Sequence, residues 1–411
     1  MESVPDAIVQ HILSQMSNAR DISSCICISR RWRDSAPFVP SLYFPRNAFD
    51  SLRRTADAES VLARMVRSAV RLEHLVVYCP FPASSLAPLL SLRSPTLRSL
   101  ELRLDSSDDS HLDSLASAAN LHSLKLWGVS LTKPPNWESF KSLRVLEIVG
   151  ASMRDDALKH ALLACPSLTD LALLGCDGVG SVEIKMQSLE KCRLDFLGPG
   201  NISLSLSSPA LRALEIQGFS WVHVDGSHRL NSLCIAKNSG RVYRVELGKL
   251  QEVEYLCLRG VQWSWGAISS LLHYAAEVKH LVMKIEFSGD HDTLQPFPEI
   301  DLVDFFNAHP KLRRFEIHGA MFAALCQKNS LKNLDWRFAI PCLEEVLITV
   351  RSPLNPEQKM NTLESLVRCG ERLRKVVIRI SQMKNCHDAA DEFFEEICRF
   401  KFMNQKIVHI E

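Results

Sequence analysis

The chain has 411 residues, 46% of them hydrophobic, and its formal charge is +1 because 48 basic residues are balanced by 47 acidic ones. This length allows a large core and two or three domains, and the balanced charge excludes a general attraction to nucleic acid or to an acidic membrane surface. The N-terminus lacks the apolar core and cleavage site of a secretory signal. The longest uncharged run, residues 75–92, contains three prolines and predicts no membrane helix.

Two helices are predicted at the N-terminus. Residues 4–16, VPDAIVQHILSQM, begin with a proline suited to a first helical turn and continue with apolar residues at helical spacing. Residues 19–34, ARDISSCICISRRWRD, are predicted to form a single second helix that carries Asp21, Cys25, Ile28 and Trp32 along one face. About forty residues cannot bury this many apolar side chains alone, so the module either caps the rest of the chain or docks into a partner.

The stretch CISRRWRDSAPF, residues 27–38, surrounds one tryptophan with three arginines. The first 44 residues contain four basic and four acidic side chains, so they lack the uncompensated basic face that phosphate binding requires. Trp32 is therefore predicted to be either an interface anchor, a common role of large aromatic side chains, or a core residue between the two helices.

An internal repeat fills most of the remaining chain. The pattern apolar-x-x-apolar-x-apolar occurs thirteen times, at residues 72, 97, 121, 143, 168, 189, 211, 230, 253, 278, 312, 343 and 373, and LKNLDW at 331 is a further, irregular candidate. The last two apolar residues of a copy share one face of a short strand, and stacking of neighbouring copies buries what one copy leaves exposed. A period of about 20–29 residues is typical of a leucine-rich repeat. We therefore predict an α/β fold in which a helical module precedes a curved solenoid of about 13 repeats.

The segments between the predicted strands are of two kinds. Helices are predicted at 108–120, 154–166, 266–277, 301–310 and 356–371, which have polar starts and apolar residues at helical spacing. Shorter alternating segments, at 181–186, 202–208, 221–226 and 244–248, are predicted to be extended. Residues 388–411 are predicted to form a final helix and strand that cap the C-terminal end.

Side chains that alternate with the strand leucines are predicted to line the concave side of the solenoid. From Arg259 onward these side chains are mostly basic, which favours an acidic or phosphorylated ligand. The alternative is an ordinary solvated strand face. The candidate substrate-binding residues are Trp127, Tyr255, Arg259, His280, Lys284, Arg314 and His318.

The sequence contains no recognisable catalytic or metal-binding set. Its histidines are scattered and accompany neither a nucleophile motif nor a Gly-rich phosphate loop. The thirteen cysteines lie mostly in apolar contexts without a CxxC pair, so we predict buried, reduced thiols and neither metal nor cofactor. The acidic run DSSDDSHLD, residues 105–113, lacks the spacing of an EF-hand loop, and its acids are predicted to cap the following helix.

The N-terminal residues resemble the F-box. The resemblance rests on Val4-Pro5-Asp6, on HIL at 11–13, on RD at 20–21 and on CISRRWRD, which contains Trp32, and it covers residues 3 to 44. Val4 stands where leucine is commoner. Because leucine-rich repeats follow, essentially the whole chain resembles the plant F-box/leucine-rich-repeat proteins. This resemblance implies an F-box at 1–46, a leucine-rich-repeat solenoid at 47–381 and a C-terminal cap at 382–411.

The resemblance implies a role and not a reaction. F-box proteins are substrate-recognition subunits of Skp1–cullin–F-box ubiquitin ligases: the F-box binds a Skp1-like adaptor and through it the cullin, and the repeats hold a protein substrate for ubiquitination and degradation. The adaptor-facing residues implied in this way are Val4, Pro5, Ile8, Ile12, Leu13, Ile28 and Trp32. No enzymatic activity, cofactor, nucleic-acid partner or membrane association is expected, and the expected location is the nucleus, the cytoplasm or both.

Three alternatives stay open. The first is a leucine-rich-repeat interaction scaffold that works without a ligase, which would gain weight if Val4 weakened adaptor binding. The second is a small-molecule sensor within the same family. The third, an enzyme in its own right, has no assembled site in the sequence to support it.

Overall fold

A computed structural model describes residues 5–50, 55–80, 86–104, 110–198, 201–226, 228–237, 242–248, 250, 252–287, 299–327, 338–381 and 387–411. The chain divides into two compact units, residues 1–197 and residues 198–411. Within the described ranges, no helix is long and apolar enough to cross a membrane.

The first unit begins with helices and continues as a parallel sheet. Its helices are α1 (Asp6–Ser14), α2 (Ala19–Ile26), α3 (Arg30–Ser35), α4 (Thr55–Ser68), α5 (Leu86–Arg93), α6 (Ser110–Ser114) and α7 (Asp155–Leu163). Its strands are β1 (Ser41–Phe44), β2 (His74–Val77), β3 (Ser99–Arg103), β4 (Ser123–Trp127), β5 (Ser130–Leu131), β6 (Val145–Val149), β7 (Ser152–Met153), β8 (Asp170–Cys176), β9 (Ser181–Lys185) and β10 (Lys191–Phe196). The parallel order is β1-β2-β3-β4-β6-β8-β10, and β5 pairs separately with β7.

Leucine ladders hold this sheet together. Leu100, Leu124, Leu146 and Leu171 occupy the same register on four successive strands, and none is more than 2% exposed. Neighbouring copies of the apolar pattern thus bury one another, as the repeat predicts. In a ladder of this kind each leucine is covered by the preceding and the following repeat, so one copy alone would leave its apolar face in water.

The second unit repeats the arrangement. Its strands are β11 (Ile202–Ser207), β12 (Ala213–Gln217), β13 (Phe219–Asp225), β14 (Ser232–Lys237), β15 (Arg244–Leu247), β16 (Tyr255–Trp263), β17 (His280–Phe287), β18 (Arg314–His318), β19 (Glu345–Val350), β20 (Lys375–Ile380) and β21 (Val408–Ile410). Its helices are α8 (Trp265–Tyr274), α9 (Leu302–Ala308), α10 (Gly319–Gln327), α11 (Pro356–Cys369) and α12 (His387–Met403). One parallel sheet runs β12-β14-β16-β17-β18-β19-β20-β21 and a second runs β15-β13-β11.

Most predicted elements are present. Helical turns occur in all five segments predicted as helices, the four short alternating segments form β9, β11, β13 and β15, and the predicted final helix and strand are α12 and β21. Helices α4, α5 and α10 were not predicted. The irregular copy LKNLDW at 331 and the start of the acidic run at 105–113 lie outside the described residues.

The prediction of one continuous helix over residues 19–34 is wrong. Helix α2 ends at Ile26 and α3 begins at Arg30, because Ser29 between them is extended, with φ −161° and ψ 167°. The side chain of Ser29 makes no capping hydrogen bond, so the break lies in its extended backbone. Ile28 and Trp32 therefore do not continue the face of α2 that carries Cys25.

Candidate interaction surfaces

Helix α1 separates its apolar side chains into a buried stripe and an exposed stripe. Val9 and Leu13 are 1% exposed and belong to the core, whereas Ile8 and Ile12 are 48% and 40% exposed. Residues four apart share one helix face, so Ile8 and Ile12 form one continuous apolar stripe in water. Ile28, just before α3, is also 50% exposed. We refer to Ile8, Ile12 and Ile28 as the exposed isoleucines.

Trp32 is half-buried on α3, and α3 packs against α1. The neighbouring Arg31 forms an ion pair with Asp6 in the first turn of α1. Pro5 precedes that turn in an extended conformation, is exposed, and accepts hydrogen bonds from two first-turn amides through its carbonyl. At least one of the arginines around Trp32 therefore joins two helices.

Arg20 anchors the helical module to the chain that follows it. Its Nε and Nη2 donate to the carbonyls of Ala48 and Asn47 at 3.1 and 2.9 Å. The side chain of Asn18 caps α2 by accepting from the amide of Arg20 at 3.0 Å. The RD of the F-box resemblance thus includes a structural arginine.

An aromatic cluster lies on the open face of the first sheet, by which we mean the face whose side chains alternate with the strand leucines. The rings of Tyr43 and Tyr78 meet edge to face at 5.6 Å, and those of Tyr78 and Trp127 at 6.5 Å. The hydroxyl of Tyr78 and the indole N–H of Trp127 both donate to Oε1 of Glu101, at 2.5 and 2.8 Å. Burial and this hydrogen bond both raise the pKa of Tyr78.

Lys125 lies beside this aromatic cluster. Its Nζ is 3.1 Å from Glu147, 3.7 Å from Glu101 and 4.8 Å from the ring centroid of Trp127. A cation over an aromatic face is attracted by the ring quadrupole. These contacts hold the aromatic side chains in fixed positions, which lowers the entropy cost of binding a partner.

The open face of the second sheet carries aromatic and charged side chains. Tyr255 and His280 are paired in register on β16 and β17, and their rings meet edge to face at 4.9 Å. Burial lowers the pKa of His280, and the nearby Arg314 lowers it further. His280 is therefore held in its neutral form near neutral pH.

Carboxylates neutralise most of the cations on this face. Nζ of Lys284 is 2.6 Å from Glu316, and Nε of Arg314 is 2.7 Å from Glu345. His318 lies 3.9 Å from Glu316, but burial lowers its pKa to about 4 and the charge of Lys284 acts in the same direction, so its ring is neutral. The face has no strong net positive charge around these strands.

Arg259 has different partners from the other cations. Its Nε donates to Sγ of Cys257 and its Nη2 to Sγ of Cys234, both at 3.2 Å.

Among the described residues, no group of three or more His, Cys, Asp and Glu side chains is arranged to hold a metal ion.

Comparison with known proteins identifies the family. Residues 103–205 match the family model described as "FBD-associated F-box protein At5g56370, LRR repeats". The Arabidopsis thaliana protein named "F-box protein At1g10780" is 53% identical over 419 residues, which cover 100% of this chain and 100% of that protein. This chain belongs to the plant F-box/leucine-rich-repeat family. Another F-box/LRR-repeat protein of A. thaliana, At1g67190, is 23% identical over 228 residues, which cover 54% of this chain and 50% of that protein.

The structure brings together six of the seven candidate substrate-binding residues of this F-box/leucine-rich-repeat chain. Tyr255 and Arg259 lie on β16, His280 and Lys284 on β17, and Arg314 and His318 on β18, and these strands are neighbours. Trp127 lies in the first unit, within the aromatic cluster. The expectation of a mostly basic surface needs correction, because Glu345 on β19 occupies the register of Arg314 and joins Glu316 in neutralising the cations.

The candidate adaptor-binding residues fall into three groups. Pro5, Ile8, Ile12 and Ile28 are exposed and Trp32 is half-buried. Leu13 is 1% exposed, so its side chain is part of the core and is not available for direct contact. Val4 lies outside the described residues.

Sequence reasoning missed Tyr43 and Tyr78. Tyr43 lies in SLYF, which forms strand β1 and pairs with β2. Residues 39–44, VPSLYF, fit the apolar-x-x-apolar-x-apolar pattern, but they fall in the segment assigned to the F-box and are not among the thirteen copies. Tyr78 directly follows β2. The signal that could have found them is an aromatic residue at β1 and another just after β2, followed by Trp127 on β4.

Proposed function

We propose that this chain is the substrate-recognition subunit of a Skp1–cullin–F-box ubiquitin ligase. The observation that carries the proposal is the set of exposed isoleucines on α1 and between α2 and α3, in a chain that belongs to the F-box/leucine-rich-repeat family. When a partner covers apolar side chains that a helix holds in water, the free energy of the complex is lowered. A Skp1-like adaptor is the partner that this family implies, and the adaptor in turn binds the cullin.

In this proposal residues 1–46 form the F-box. Pro5, Ile8, Ile12, Ile28 and Trp32 contact the adaptor, and Val4 is proposed as a further contact. Leu13 supports the surface from the core. Arg31, paired with Asp6, contributes to a polar rim and not to nucleic-acid binding.

Residues 47–381 form a curved solenoid of about 13 repeats, and residues 382–411 form its C-terminal cap. The concave side of this solenoid holds a protein substrate for ubiquitination and proteasomal degradation. Two surfaces are proposed for this contact: the aromatic cluster around Trp127, and the β16–β18 surface that carries Tyr255 and His280. The chain itself is a non-catalytic adaptor subunit that needs no cofactor and works in the nucleus, the cytoplasm or both.

Binding of a plant Skp1-like protein tests this proposal. The full chain is co-expressed with the adaptor and analysed by size-exclusion chromatography, and the Kd is then measured for the wild type and for the double variant Ile8→Ser/Ile12→Ser. Each isoleucine has roughly half of its surface left to bury, which corresponds to about 1–1.5 kcal/mol per side chain. The double variant should therefore bind about 30- to 150-fold more weakly.

The matched control removes exposed apolar surface elsewhere. Leu163 and Leu354 are 68% and 70% exposed, so the double variant Leu163→Ser/Leu354→Ser loses comparable surface and should keep the wild-type Kd. Equal weakening in both double variants would show that the N-terminal helices are not the binding surface. A well-folded wild type that elutes without the adaptor would refute the ligase role and leave a ligase-independent scaffold as the better account.

A further inference from the structure

Two cysteines lie side by side on the open face of the second sheet. Cys234 on β14 and Cys257 on β16 are direct partners in a parallel pair of strands, and both side chains point away from the leucine core. Paired residues on neighbouring strands are about 4.8 Å apart. This separation falls within the range of about 4.4–6.8 Å between the Cα atoms of disulfide-bonded cysteines. Their Cβ atoms must also come within about 3.5–4.5 Å of each other, so the two strands must approach locally before the sulfurs can bond.

Arg259 places a positive charge against both sulfurs through its two 3.2 Å hydrogen bonds. A hydrogen bond from the thiol of Cys234, together with the charge of Arg259, lowers the pKa of Cys257. The pKa of Cys234 is raised correspondingly, first by the same shared hydrogen bond and then by burial. The charge of Arg259 and the hydrogen bond between the two thiols thus favour a thiolate within this pair.

The other buried cysteines have a different environment. Burial alone raises the pKa of Cys165 to about 12, and burial alone also raises the pKa of Cys192. Thiols of that kind are inert, because the thiolate is the reactive form. Cys165 and Cys192 are therefore internal controls for the reactivity of Cys257 in the same molecule.

A small oxidant can reach the pair when Arg259 moves. Cys234 and Cys257 are only 6% and 1% exposed, and Val282 packs beside them. Arg259 is itself exposed, and its long side chain can rotate away from the sulfurs. Arg259, Tyr255 and Val282 lie against the two thiols, and of these three side chains only Arg259 is exposed.

We propose that Cys234 and Cys257 form a peroxide-reactive dithiol that closes to a reversible disulfide. The Cys257 thiolate attacks one oxygen of a hydroperoxide, ROOH, and the O–O bond breaks. Cys257 becomes a sulfenic acid, and the departing oxygen takes a proton and leaves as ROH. The sulfur of Cys234 then attacks the sulfenic sulfur, loses its proton, and water leaves as the disulfide forms. Two thiols lose two electrons in total, and the hydroperoxide gains them; a cellular dithiol can reverse the reaction.

Closure of the disulfide changes the charge of this surface. The thiolate that accepted hydrogen bonds from Arg259 becomes a neutral sulfur, so the guanidinium loses its anionic partner. The surface between β14 and β17 then gains one unit of positive charge. This consequence concerns the chemistry of the pair and holds whether or not the chain serves a ligase.

Differential alkylation of the full-length protein tests the proposal. The folded chain is treated with hydrogen peroxide, its remaining thiols are alkylated, and peptides are analysed by mass spectrometry. We expect a linked peptide that joins Cys234 to Cys257 and that disappears on reduction, while Cys165 and Cys192 stay as thiols. In Cys234→Ser, which lacks the second thiol, the sulfenic acid of Cys257 should persist and be trapped by a cyclic dione.

The role of Arg259 is tested by Arg259→Gln, which should slow oxidation of Cys257 about tenfold or more at neutral pH, because the thiolate fraction falls. Arg259→Lys keeps the charge and should slow it less. The wild type alone gives an independent readout, in which alkylation of Cys257 should rise at a lower pH than alkylation of Cys165. If Cys257 reacts no faster than Cys165 and peroxide yields no linked peptide in the folded wild type, the dithiol proposal is wrong.

Discussion

The replacement Gly260→Ala should destabilise the second unit more than any other small change on β16. A Cβ at this position would lie 1.8 Å from the carbonyl oxygen and 2.6 Å from the carbonyl carbon of Lys237, and the φ of Gly260 is +108°. Gly260 and Lys237 are paired in register, so the contact falls within the sheet. The alanine could be accommodated only if β14 and β16 separate or β16 changes its backbone conformation.

The surroundings of Lys237 resist such a separation. Its side chain is fully buried, and its Nζ donates to the carbonyl of Gly218 at 2.5 Å and to the hydroxyl of Ser220 at 3.1 Å. Movement of β14 would weaken these hydrogen bonds of a buried ammonium group. The positive φ costs an L-residue about 1–2 kcal/mol, and overpacking costs about 1–3 kcal/mol more. We therefore expect Gly260→Ala to lower the free energy of unfolding by about 2–5 kcal/mol.

A matched control separates the two contributions. Gly226 also has a positive φ, +69°, but a Cβ there would meet nothing within 4 Å. Gly226→Ala should therefore show the conformational cost alone, about 1–2 kcal/mol. Both variants are compared with the wild type by urea unfolding, and hydrogen exchange of the β14 and β16 amides locates the weakened region. Equal losses in the two variants, or unchanged exchange on β14, would refute the steric explanation.

Three further predictions concern stability, each measured by urea unfolding of the full chain. Trp137→Phe removes the donor of a buried 2.7 Å hydrogen bond to the carbonyl of Leu112, and should cost about 1–3 kcal/mol; no loss would mean that water replaces the indole. His318 has a pKa of about 4 in the folded chain against an ordinary value of 6.5, so the unfolded chain takes up its proton first as the pH falls. The stabilisation from neutral His318 is therefore present above about pH 6.5 and is lost as the pH falls toward 4. The free energy of unfolding should fall by at most about 3 kcal/mol for this reason, and His318→Gln should remove that part of the decrease. Leu163→Ser changes a side chain that is 68% exposed, and should alter stability by less than about 0.5 kcal/mol; a larger effect would reveal a contact that the fold does not explain.

Local patterns in the sequence were sufficient to predict the strands of the thirteen copies, but not β1, β5 and β7. Within the described residues, every copy of the apolar pattern from residue 72 to residue 373 carries a parallel strand. The reason is that each copy specifies its strand by its own alternation and needs only an identical neighbour to complete its core. The pairing of Cys234 with Cys257 was also present in the sequence, because both occupy the fifth position of their copies, in LNSLCI and VEYLCL.

Tertiary packing decided which of two equivalent apolar stripes became core. Helical spacing places Ile8 with Ile12 and Val9 with Leu13 on adjoining faces of α1, and nothing in the spacing distinguishes the two. The packing of α1 against α3 buries Val9 and Leu13 and leaves the other pair in water. The break before Arg30 likewise depends on how α3 docks, since residues 19–34 carry a helical pattern throughout.

The ion pairs between strands were the other feature that the sequence could not predict. The basic residues of the second sheet were visible in the sequence, but their neutralisation depends on register: Glu345 stands beside Arg314, and Glu316 beside Lys284, only because the strands align. Arg259 meets two sulfurs for the same reason. The sequence by itself determined the repeated strand and its buried leucines, because these follow from short-range alternation. Only the tertiary structure decided which charges meet and which apolar side chains stay in water, because these contacts join residues from different repeats and helices.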